Sequence, residues 1–507
     1  MEYHKLSTKE KLAINTLGKL KETNYQAETV KEELRRNLIK SLKNKENVFE
    51  GIWGYEDTVI PDVQRAILSK HNINLLGLRG QAKTRIARMM TRLLDEYVPV
   101  LEGTDLNDDP MAPLSRQARD IIQEKGDDSP VSWMHREERY TEKLATPDVS
   151  VADLVGDVDP IKAASLKLPY SDERVIHYGL IPRAHRGIFV INELPDLQAR
   201  IQVALFNILQ EGDIQIRGFK LRLPLDIQFV FTANPEDYTN RGSIITPLKD
   251  RIDAQIITHY PNSIALGRKI TEQEADLAEE QKKEITVQEL SKDLIEQIAI
   301  EARASEYVDE KSGVSARLTI SAYESLVSSA ERRALINDEK NTSIRLGDFI
   351  GVLPSITGKV ELVYEGEQEG PGIVARSLVS KAIRQQFNQY FPNPDELRKQ
   401  REKENPYKPI TKWFNDGNTI DLINDDTEKS YQQKLDSVPG LRSLITSHLK
   451  DLNKNETYFF MEFALHGMAE NSLLSKLALS TGTSFKDLLS SMLNLEDSEE
   501  NDDDFNN

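Results

Sequence analysis

The chain has 507 residues and a formal net charge of -18, with 65 Lys and Arg against 83 Asp and Glu, a balance that disfavours a general nucleic-acid or anionic-membrane surface. It contains no cysteine, which excludes disulfides, thiolate metal sites and a cysteine nucleophile and is compatible with a reducing compartment. The opening residues lack the apolar core of a secretory signal, and no run approaches the roughly 20 apolar residues that span a bilayer, so we expect a cytoplasmic protein.

The first half of the chain predicts an α/β domain. Residues 1–46 show mixed helical periodicity with many charges and predict an exposed helical lead-in. Residues 47–261 alternate short apolar strands with amphipathic helices, a pattern typical of a parallel sheet covered by helices. Within this domain, the apolar positions of residues 197–209 fall on one face and predict a helix that packs on the sheet.

The second half predicts helices separated by a linker. Residues 262–390 predict a helical domain, and residues 430–495 predict a further C-terminal helical region. Between them, residues 391–429 combine prolines with many charges and predict a linker or irregular excursion. Residues 496–507 have almost no apolar content and predict an acidic, disordered tail. At roughly 150 residues per domain, the length alone predicts about three domains.

A phosphate-binding loop is predicted where the apolar strand at residues 73–76 runs into a glycine turn followed by Lys83 and Thr84. Small residues let backbone N–H groups approach a triphosphate, while the lysine reaches the outer phosphates and the hydroxyl reaches Mg²⁺. Ala82 replaces the usual second glycine and resists a positive φ, so we expect a slightly reshaped loop. An incidental strand and turn is the alternative. The loop residues expected at the nucleotide are Gly77, Leu78, Arg79, Gly80, Gln81, Ala82, Lys83 and Thr84.

Two later strands end in polar residues, and ligands collect at the carboxyl edge of such sheets. The strand at residues 187–191 is followed by Asn192 and Glu193. In an ATPase, Glu193 would polarise the attacking water, and an aspartate would normally stand at Asn192, although an amide oxygen still accepts from a metal-bound water. The strand at residues 227–232 leads to Asn234, a candidate for orienting water against the γ-phosphate. Solvated strand ends and an Asn-Pro turn are the alternatives.

In residues 214–223, apolar and other residues alternate around Gly218, a pattern that predicts a β-hairpin. The basic side chains of Arg217, Lys220 and Arg222 either meet a substrate or form a solvated face.

Two arginines complete the set of candidates. A guanidinium beside the transferred phosphoryl group is worth about 10³ to 10⁵ in rate. Arg251 and Arg317 are candidates for this role, although a surface ion pair is the ordinary role of an arginine and neither stands out alone.

Taken together, these motifs occur in the order found in AAA+ ATPases, and the chain resembles that superfamily over about residues 48–325. It further resembles the branch that holds the magnesium-chelatase ATPase subunit and the MoxR-type ATPases, in which an inserted hairpin follows the second strand. The segments that carry the resemblance are residues 77–84, 153–159, 179–193, 232–235, 249–252 and 314–317.

The resemblance implies an ATP-hydrolysing ring, most simply a homo-hexamer, with Mg²⁺ and with a partner that carries a von Willebrand factor A domain. It implies phosphate and Mg²⁺ at Lys83 and Thr84, and water activation at Glu193. It also implies adenine near Ile52 and Gly54. The remaining implied roles are the first sensor at Asn234, a finger donated to the neighbouring subunit at Arg251 and the second sensor at Arg317. Asn192 departs from the family pattern, and its expected metal contact rests on the amide oxygen alone.

Three functions remain open. The first is a ring motor that remodels a protein or complex, and the second is the ATPase subunit of a magnesium chelatase. The third is a nucleotide-gated scaffold with little hydrolysis, suggested by Ala82 and Asn192. The acidic balance opposes a nucleic-acid motor. The long polar segment at residues 104–146 predicts an insertion that gates a pore or holds a partner.

Overall fold

A computed structural model describes residues 3, 6–170, 172–211, 214–216, 219–221, 223–235, 243–399 and 405–488. The chain divides into two compact units, Met1–Tyr260 and Pro261–Asn507. Within the described ranges, no helix has the length and apolar character needed to cross a membrane.

The first unit alternates strands and helices. Its strands are β1 Ile73–Leu76, β2 Tyr97–Leu101, β3 Val131–His135, β4 Tyr140–Leu144, β5 Gly156–Val158, β6 Ile176–Tyr178, β7 Gly187–Asn192, β8 Ile214–Ile216, β9 Phe219–Leu221, β10 Ile227–Ala233 and β11 Ala254–Ile257. Its α-helices are α1 Thr8–Leu12, α2 Leu17–Lys21, α3 Val30–Asn44, α4 Val59–Leu68, α5 Lys83–Met89, α6 Arg116–Lys125, α7 Val151–Leu154, α8 Pro160–Leu166, α9 Leu180–Arg183, α10 Ala199–Glu211 and α11 Thr246–Lys249. Short 3-10 helices span Met90–Leu93, Gly126–Asp128, Glu173–Val175 and Leu194–Asp196.

Five of these strands form one sheet in the order β11, β1, β10, β7, β4, and every neighbouring pair is parallel. Strands β7 and β10 are buried along their whole length, as expected for strands covered on both faces. Because the strands are parallel, their carboxyl ends meet at one edge, where Leu76 pairs with Ala233 and Leu144 pairs with Asn192. The predicted parallel α/β sheet is confirmed, and the predicted hairpin is present as the antiparallel pair β8 and β9. Arg217 and Arg222 lie outside the described residues.

The N-terminal segment differs from the exposed lead-in that its charges predict. Helix α3 packs on α4, and Leu34 and Leu38 are fully buried in the core beneath the sheet. On the same helix, Glu33 accepts from both terminal nitrogens of Arg139 in a buried ion pair. This highly charged segment therefore contains an amphipathic helix with one apolar face in the core. One of its carboxylates, that of Glu33, is buried as well.

The polar segment at residues 104–146 is only partly an insertion. Strands β2 and β3 form a separate antiparallel ribbon, with α6 between them in the chain. Strand β4, by contrast, is the edge strand of the central sheet, paired along its length with β7. Its polar sequence, Tyr-Thr-Glu-Lys-Leu, conceals a sheet strand because an edge strand is only partly covered.

The second unit is mainly helical. Its α-helices are α12 Ile264–Glu274, α13 Glu279–Glu284, α14 Glu289–Arg303, α15 Arg317–Ile336, α16 Leu353–Thr357, α17 Tyr364–Glu369, α18 Pro371–Tyr390, α19 Pro394–Lys399, α20 Lys408–Asn415, α21 Glu428–Asp436, α22 Leu441–His448 and α23 Lys454–Glu470. A 3-10 helix spans Leu346–Val352. Its strands are β12 Ile285–Thr286, β13 Thr342–Ser343, β14 Ile420–Ile423, β15 Ser475–Leu479 and β16 Gly482–Lys486.

The predicted linker contains ordered elements in its described part. Helix α20 buries Ile410 and Phe414 completely, and Tyr407 before it is equally buried. Strand β14 joins β16 and β15 in a three-stranded sheet, so residues 430–488 are not purely helical either. The apolar residues of this segment are few and lie among prolines and charges, so the sequence does not reveal their packing. The predicted acidic tail, residues 496–507, lies outside the described residues.

Candidate functional site

The loop between β1 and α5 places Ala82 in a backbone conformation that usually belongs to glycine. Ala82 has φ 55° and ψ 16°, in the left-handed region, and exposed Gly80 has φ 73°. The expectation of a loop reshaped to avoid a positive φ at Ala82 is therefore wrong. The alanine accepts the strained backbone instead, because its single Cβ makes this conformation costly without forbidding it.

Side chains at the end of β11 fix the same loop. A Cβ on Gly77 would lie 2.0 Å from Thr258 Oγ1 and 2.2 Å from Gln81 Oε1, so a larger residue would displace both side chains. The Thr258 hydroxyl donates to buried Gln81 Oε1 at 2.6 Å. The Tyr260 hydroxyl donates to the carbonyl of Arg79 at 2.9 Å. Thr258 and Tyr260 were not predicted from the sequence, although they too follow a strand of the sheet at its carboxyl edge.

The segment predicted near adenine reaches the loop through Tyr55. Ile52 is buried in the core, and Gly54 has φ 80°, a conformation that favours glycine. Buried Tyr55 directs its hydroxyl to the carbonyls of Gln81, at 3.1 Å, and His259, at 2.7 Å. The turn that contains Ile52 and Gly54 is thus tied to the phosphate loop.

Lys83 lies against the loop that precedes it. Its buried Nζ donates to the carbonyl of Gly77, to the carbonyl of Leu78 at 2.9 Å and to Asn234 Oδ1 at 2.7 Å. A cation placed inside a loop of backbone groups can attract the outer phosphates of a nucleotide.

Asn234 bridges the two ends of the site. Its Oδ1 accepts from Lys83, and its Nδ2 donates to Glu193 Oε2 at 2.8 Å. Glu193 follows β7 with φ 55°, and its N–H donates to Thr232 Oγ1 at 3.1 Å. The left-handed turn directs the Glu193 side chain to the same edge as Asn234 and Lys83. The structure thus brings these three predicted residues into one hydrogen-bonded group.

Thr84 and Asn192 form the second group at this edge. The Thr84 hydroxyl donates to Asn192 Oδ1 at 3.0 Å, and Thr232 Oγ1 donates to the same oxygen at 3.1 Å. Asn192 Nδ2 donates to Glu142 Oε1 at 2.8 Å. Glu142 belongs to β4, and sequence reasoning missed it because nothing in the order of the chain places β4 beside β7.

The residues present fit a Mg²⁺ ion that arrives with nucleotide. In the part of the chain that the structure describes, no cluster of three His, Cys, Asp or Glu residues could hold a metal ion alone. Mg²⁺ in phosphate-loop sites does not need such a cage, because phosphate oxygens and waters supply most of its ligands. Thr84 offers a hydroxyl that completes that set, and the Asn192 amide oxygen can accept a hydrogen bond from a metal-bound water.

The two predicted arginines have contacts of their own. Arg251, half-buried after α11, pairs with Asp250, and its guanidinium lies 5.5 Å from the centre of the Phe206 ring. Arg317 is the exposed first residue of α15 in the second unit, where its N–H donates to Ser315 Oγ at 3.1 Å. The structure thus joins five of the predicted residues, Lys83, Thr84, Asn192, Glu193 and Asn234, and gives Arg251 other contacts.

A comparison of sequence profiles matches residues 169–257 to the Sigma-54 interaction domain, a AAA+ domain. The matched span contains Glu193, Asn234 and Arg251, and the sheet around it has the parallel order described above. The first unit has the AAA+ fold.

Solved structures similar to this chain share low sequence identity with it. A structure of the complex between the BchI and BchD subunits of magnesium chelatase, based on a cryo-EM reconstruction, is 18% identical, with 63% of this chain and 98% of that chain covered and a TM-score of 0.32. NtrX from Brucella abortus is 14% identical, with 57% of this chain and 53% of that chain covered and a TM-score of 0.31. Neither likeness separates the branches of the superfamily, and the MoxR branch stays a prediction.

Proposed function

We propose that this protein is a Mg²⁺-dependent ATPase whose cleft consists of Lys83, Thr84, Asn192, Glu193 and Asn234. The contact that carries this proposal is the Asn234 side chain between Lys83 and Glu193, at 2.7 and 2.8 Å. When phosphate binds Lys83, the hydrogen bond from Lys83 to this amide can change. The amide can then keep or break its hydrogen bond to Glu193, the carboxylate that orients water. Such a bridge suits hydrolysis better than simple phosphate binding.

Each residue then has a separate task. Lys83 and the loop amides bind the β- and γ-phosphates, while Glu193 accepts a hydrogen bond from the attacking water and directs it at phosphorus. Mg²⁺, when bound with ATP through Thr84 and Asn192, would neutralise phosphate charge. Ile52 and Gly54 lie in the turn that would receive the adenine.

We further propose that the protein acts as a homo-oligomeric ring, a hexamer by analogy with its resemblance, in the cytoplasm. Arg251 would reach the nucleotide of the neighbouring subunit, which accords with its contacts to Asp250 and Phe206 instead of its own phosphate loop. Arg317 would act as the second sensor. By the same resemblance, the ring remodels a protein or complex beside a partner with a von Willebrand factor A domain, as MoxR-type ATPases are expected to do.

A nucleotide-gated scaffold is the second candidate. It is favoured by Asn192, which brings a neutral amide where hydrolysing relatives carry a carboxylate beside the metal. The magnesium-chelatase subunit is a third candidate that rests on resemblance alone.

The test is steady-state ATP hydrolysis by the wild type and by Lys83→Ala, Glu193→Gln and Arg251→Ala. We expect each variant to lose at least about a hundredfold in kcat, with Lys83→Ala also weakening ATP binding. Lys70→Ala, which removes only an exposed ion pair to Glu32, is the control and should hydrolyse at the wild-type rate. Equal turnover by all variants contradicts the ATPase proposal. Tight ATP binding by a wild type that does not turn over supports the scaffold.

A further inference from the structure

The Asn192 amide has a fixed orientation in this site. Its Nδ2 donates to Glu142 Oε1 at 2.8 Å, and its Oδ1 accepts from Thr84 at 3.0 Å and Thr232 at 3.1 Å. A carboxylate only accepts hydrogen bonds, so Glu142 admits the nitrogen end of the amide and excludes the oxygen end. The oxygen must therefore face Thr84, whose hydroxyl is the expected metal ligand.

Glu142 is itself held from two sides. The Tyr140 hydroxyl donates to its Oε2 at 2.9 Å, and Arg88 donates to the same oxygen at 2.9 Å. Arg88 lies four residues after Thr84, one turn along α5. Thr84, Asn192, Glu142 and Arg88 therefore form a closed chain of contacts that links α5, β7 and β4.

The register explains how Glu142 reaches this position. In the parallel pairing of β4 with β7, Leu144 lies opposite Asn192 and Glu142 lies opposite Val190. Glu142 and Leu144 are two residues apart and so lie on one face of β4. A long side chain at position 142 can extend along that face to the end of β7, whereas a direct neighbour of Asn192 is already an exposed leucine.

We infer that Glu142 is a positioning residue for the metal site and that it supplies, from the neighbouring strand, the negative charge that residue 192 lacks. This inference rests on the proposed ATP-binding function. A carboxylate one hydrogen bond behind a metal-contacting group orients that group and strengthens it as an acceptor, and losing such a partner commonly costs about 10- to 100-fold in metal affinity. Asn192 and Glu142 together would then take the metal-binding role of the aspartate that normally stands at position 192 in an ATPase.

The alternative role for Glu142 is an ordinary surface ion pair with Arg88. Arg88 is 66% exposed, so that pair contributes little to stability. If Glu142 served only this ion pair, its replacement by glutamine would change neither the stability nor the Mg²⁺ requirement. This difference separates the two roles.

The experiment measures binding of a fluorescent ATP analogue to the full chain during Mg²⁺ titration and in excess EDTA. Glu142→Gln should raise the Mg²⁺ concentration for half-maximal binding about tenfold or more and leave binding in EDTA unchanged. Glu137→Gln removes the same charge from an exposed site just before β4 and should match the wild type. The double variant Glu142→Gln with Asn192→Asp moves the charge to residue 192 and reverses the hydrogen bond, and it should restore the wild-type Mg²⁺ requirement.

A second readout needs no nucleotide. Asn192→Asp alone places two carboxylates side by side and should lower the melting temperature by about 2–4 °C, and adding Glu142→Gln should reverse this loss. Unchanged melting in Asn192→Asp would overturn the contact itself. If the wild type binds the analogue but Glu142→Gln keeps its Mg²⁺ requirement, this inference fails while the proposed function stands. If the wild type binds no analogue, the proposed function and this inference both fail.

Discussion

Ala82 occupies a backbone conformation that usually belongs to glycine. A non-glycine residue in the left-handed region costs roughly 1–2 kcal/mol, and at Ala82 this strain is held inside the loop that would bind phosphate. Strain at such a position is commonly tolerated where function requires the geometry. The replacement by alanine therefore affects stability more than it affects the path of the loop.

Substitutions at Ala82 test this interpretation of the loop. Ala82→Gly should leave stability unchanged or raise it by up to about 1 kcal/mol, because relief of strain outweighs the greater freedom of glycine in the unfolded chain. Ala82→Val should destabilise by about 2 kcal/mol or more, because a β-branched residue fits the left-handed region poorly. Denaturant unfolding of both variants provides the measurement. A valine variant as stable as the wild type would show that the positive φ is absent in solution.

The residues with direct chemistry are more predictable from the sequence than the residues that support them. Lys83, Glu193 and Asn234 follow strands, and the rule that parallel strands end at one edge is enough to expect them together. Glu142 and Tyr55 are not predictable in this way. Their roles depend on which strand pairs with β7 and on where the 52–55 turn lies. Both depend on contacts between residues far apart in the sequence, and hydrophobic periodicity does not predict such contacts.

At the scale of elements, burial patterns decide which predictions succeed. Strands β7 and β10 are mostly apolar and buried throughout, and the sequence shows this directly. Edge strand β4 lies in a polar segment, and helix α20 begins beside prolines, so neither element is evident from the sequence. Helix α3 is obscured by its charges, including Glu33, whose buried partner Arg139 lies far along the chain.

The helices of the second unit contain a buried carboxyl group that predicts a pH dependence. Glu296 on α14 is buried and accepts a hydrogen bond from Thr271 of α12 at 2.6 Å, and Thr271 also contacts Thr319 of α15 at 2.8 Å. Burial raises the pKa of Glu296 to about 7, against an ordinary value of 4.5. The folded state then binds more protons than the unfolded state between these two pKa values, so the free energy of unfolding falls as the pH rises from 4.5 to 7.

Glu296→Gln should remove this dependence. Relative to the wild type, the variant should gain at most about 3.5 kcal/mol of stability between about pH 4.5 and pH 8, since one pKa unit corresponds to about 1.4 kcal/mol. Thermal unfolding of both proteins across this pH range measures the difference. Exposed Glu284→Gln is the control, with a constant difference from the wild type expected. A constant difference for Glu296→Gln as well would show that its carboxyl group has an ordinary pKa in the folded state.

For the whole molecule, the proposed ring makes each active site the joint product of two subunits. Lys83 of one subunit and Arg251 of its neighbour would serve the same nucleotide, so a variant that lacks either residue is inactive alone. In rings mixed at random from equal amounts of Lys83→Ala and Arg251→Ala, about a quarter of the interfaces would hold both native residues. We expect the mixture to recover about that fraction of wild-type hydrolysis.

Hydrolysis by the mixture compared with each variant alone measures this complementation. The control is a mixture of Lys83→Ala with Glu193→Gln, which remove groups from the same subunit's cleft and should not complement each other. Recovery in that control, or none in the test mixture, would contradict an arginine supplied by the neighbouring subunit.

The most direct test of the proposed ATP-binding cleft is a calorimetric titration of ATP into the wild type and into Lys83→Ala, each with Mg²⁺ in excess. We expect saturable heat from the wild type and at least about tenfold weaker binding by the variant, because Lys83 lies among the loop carbonyls and Asn234 where the outer phosphates would sit. Absence of saturable heat from the folded wild type, or equal affinities for the two proteins, would contradict it.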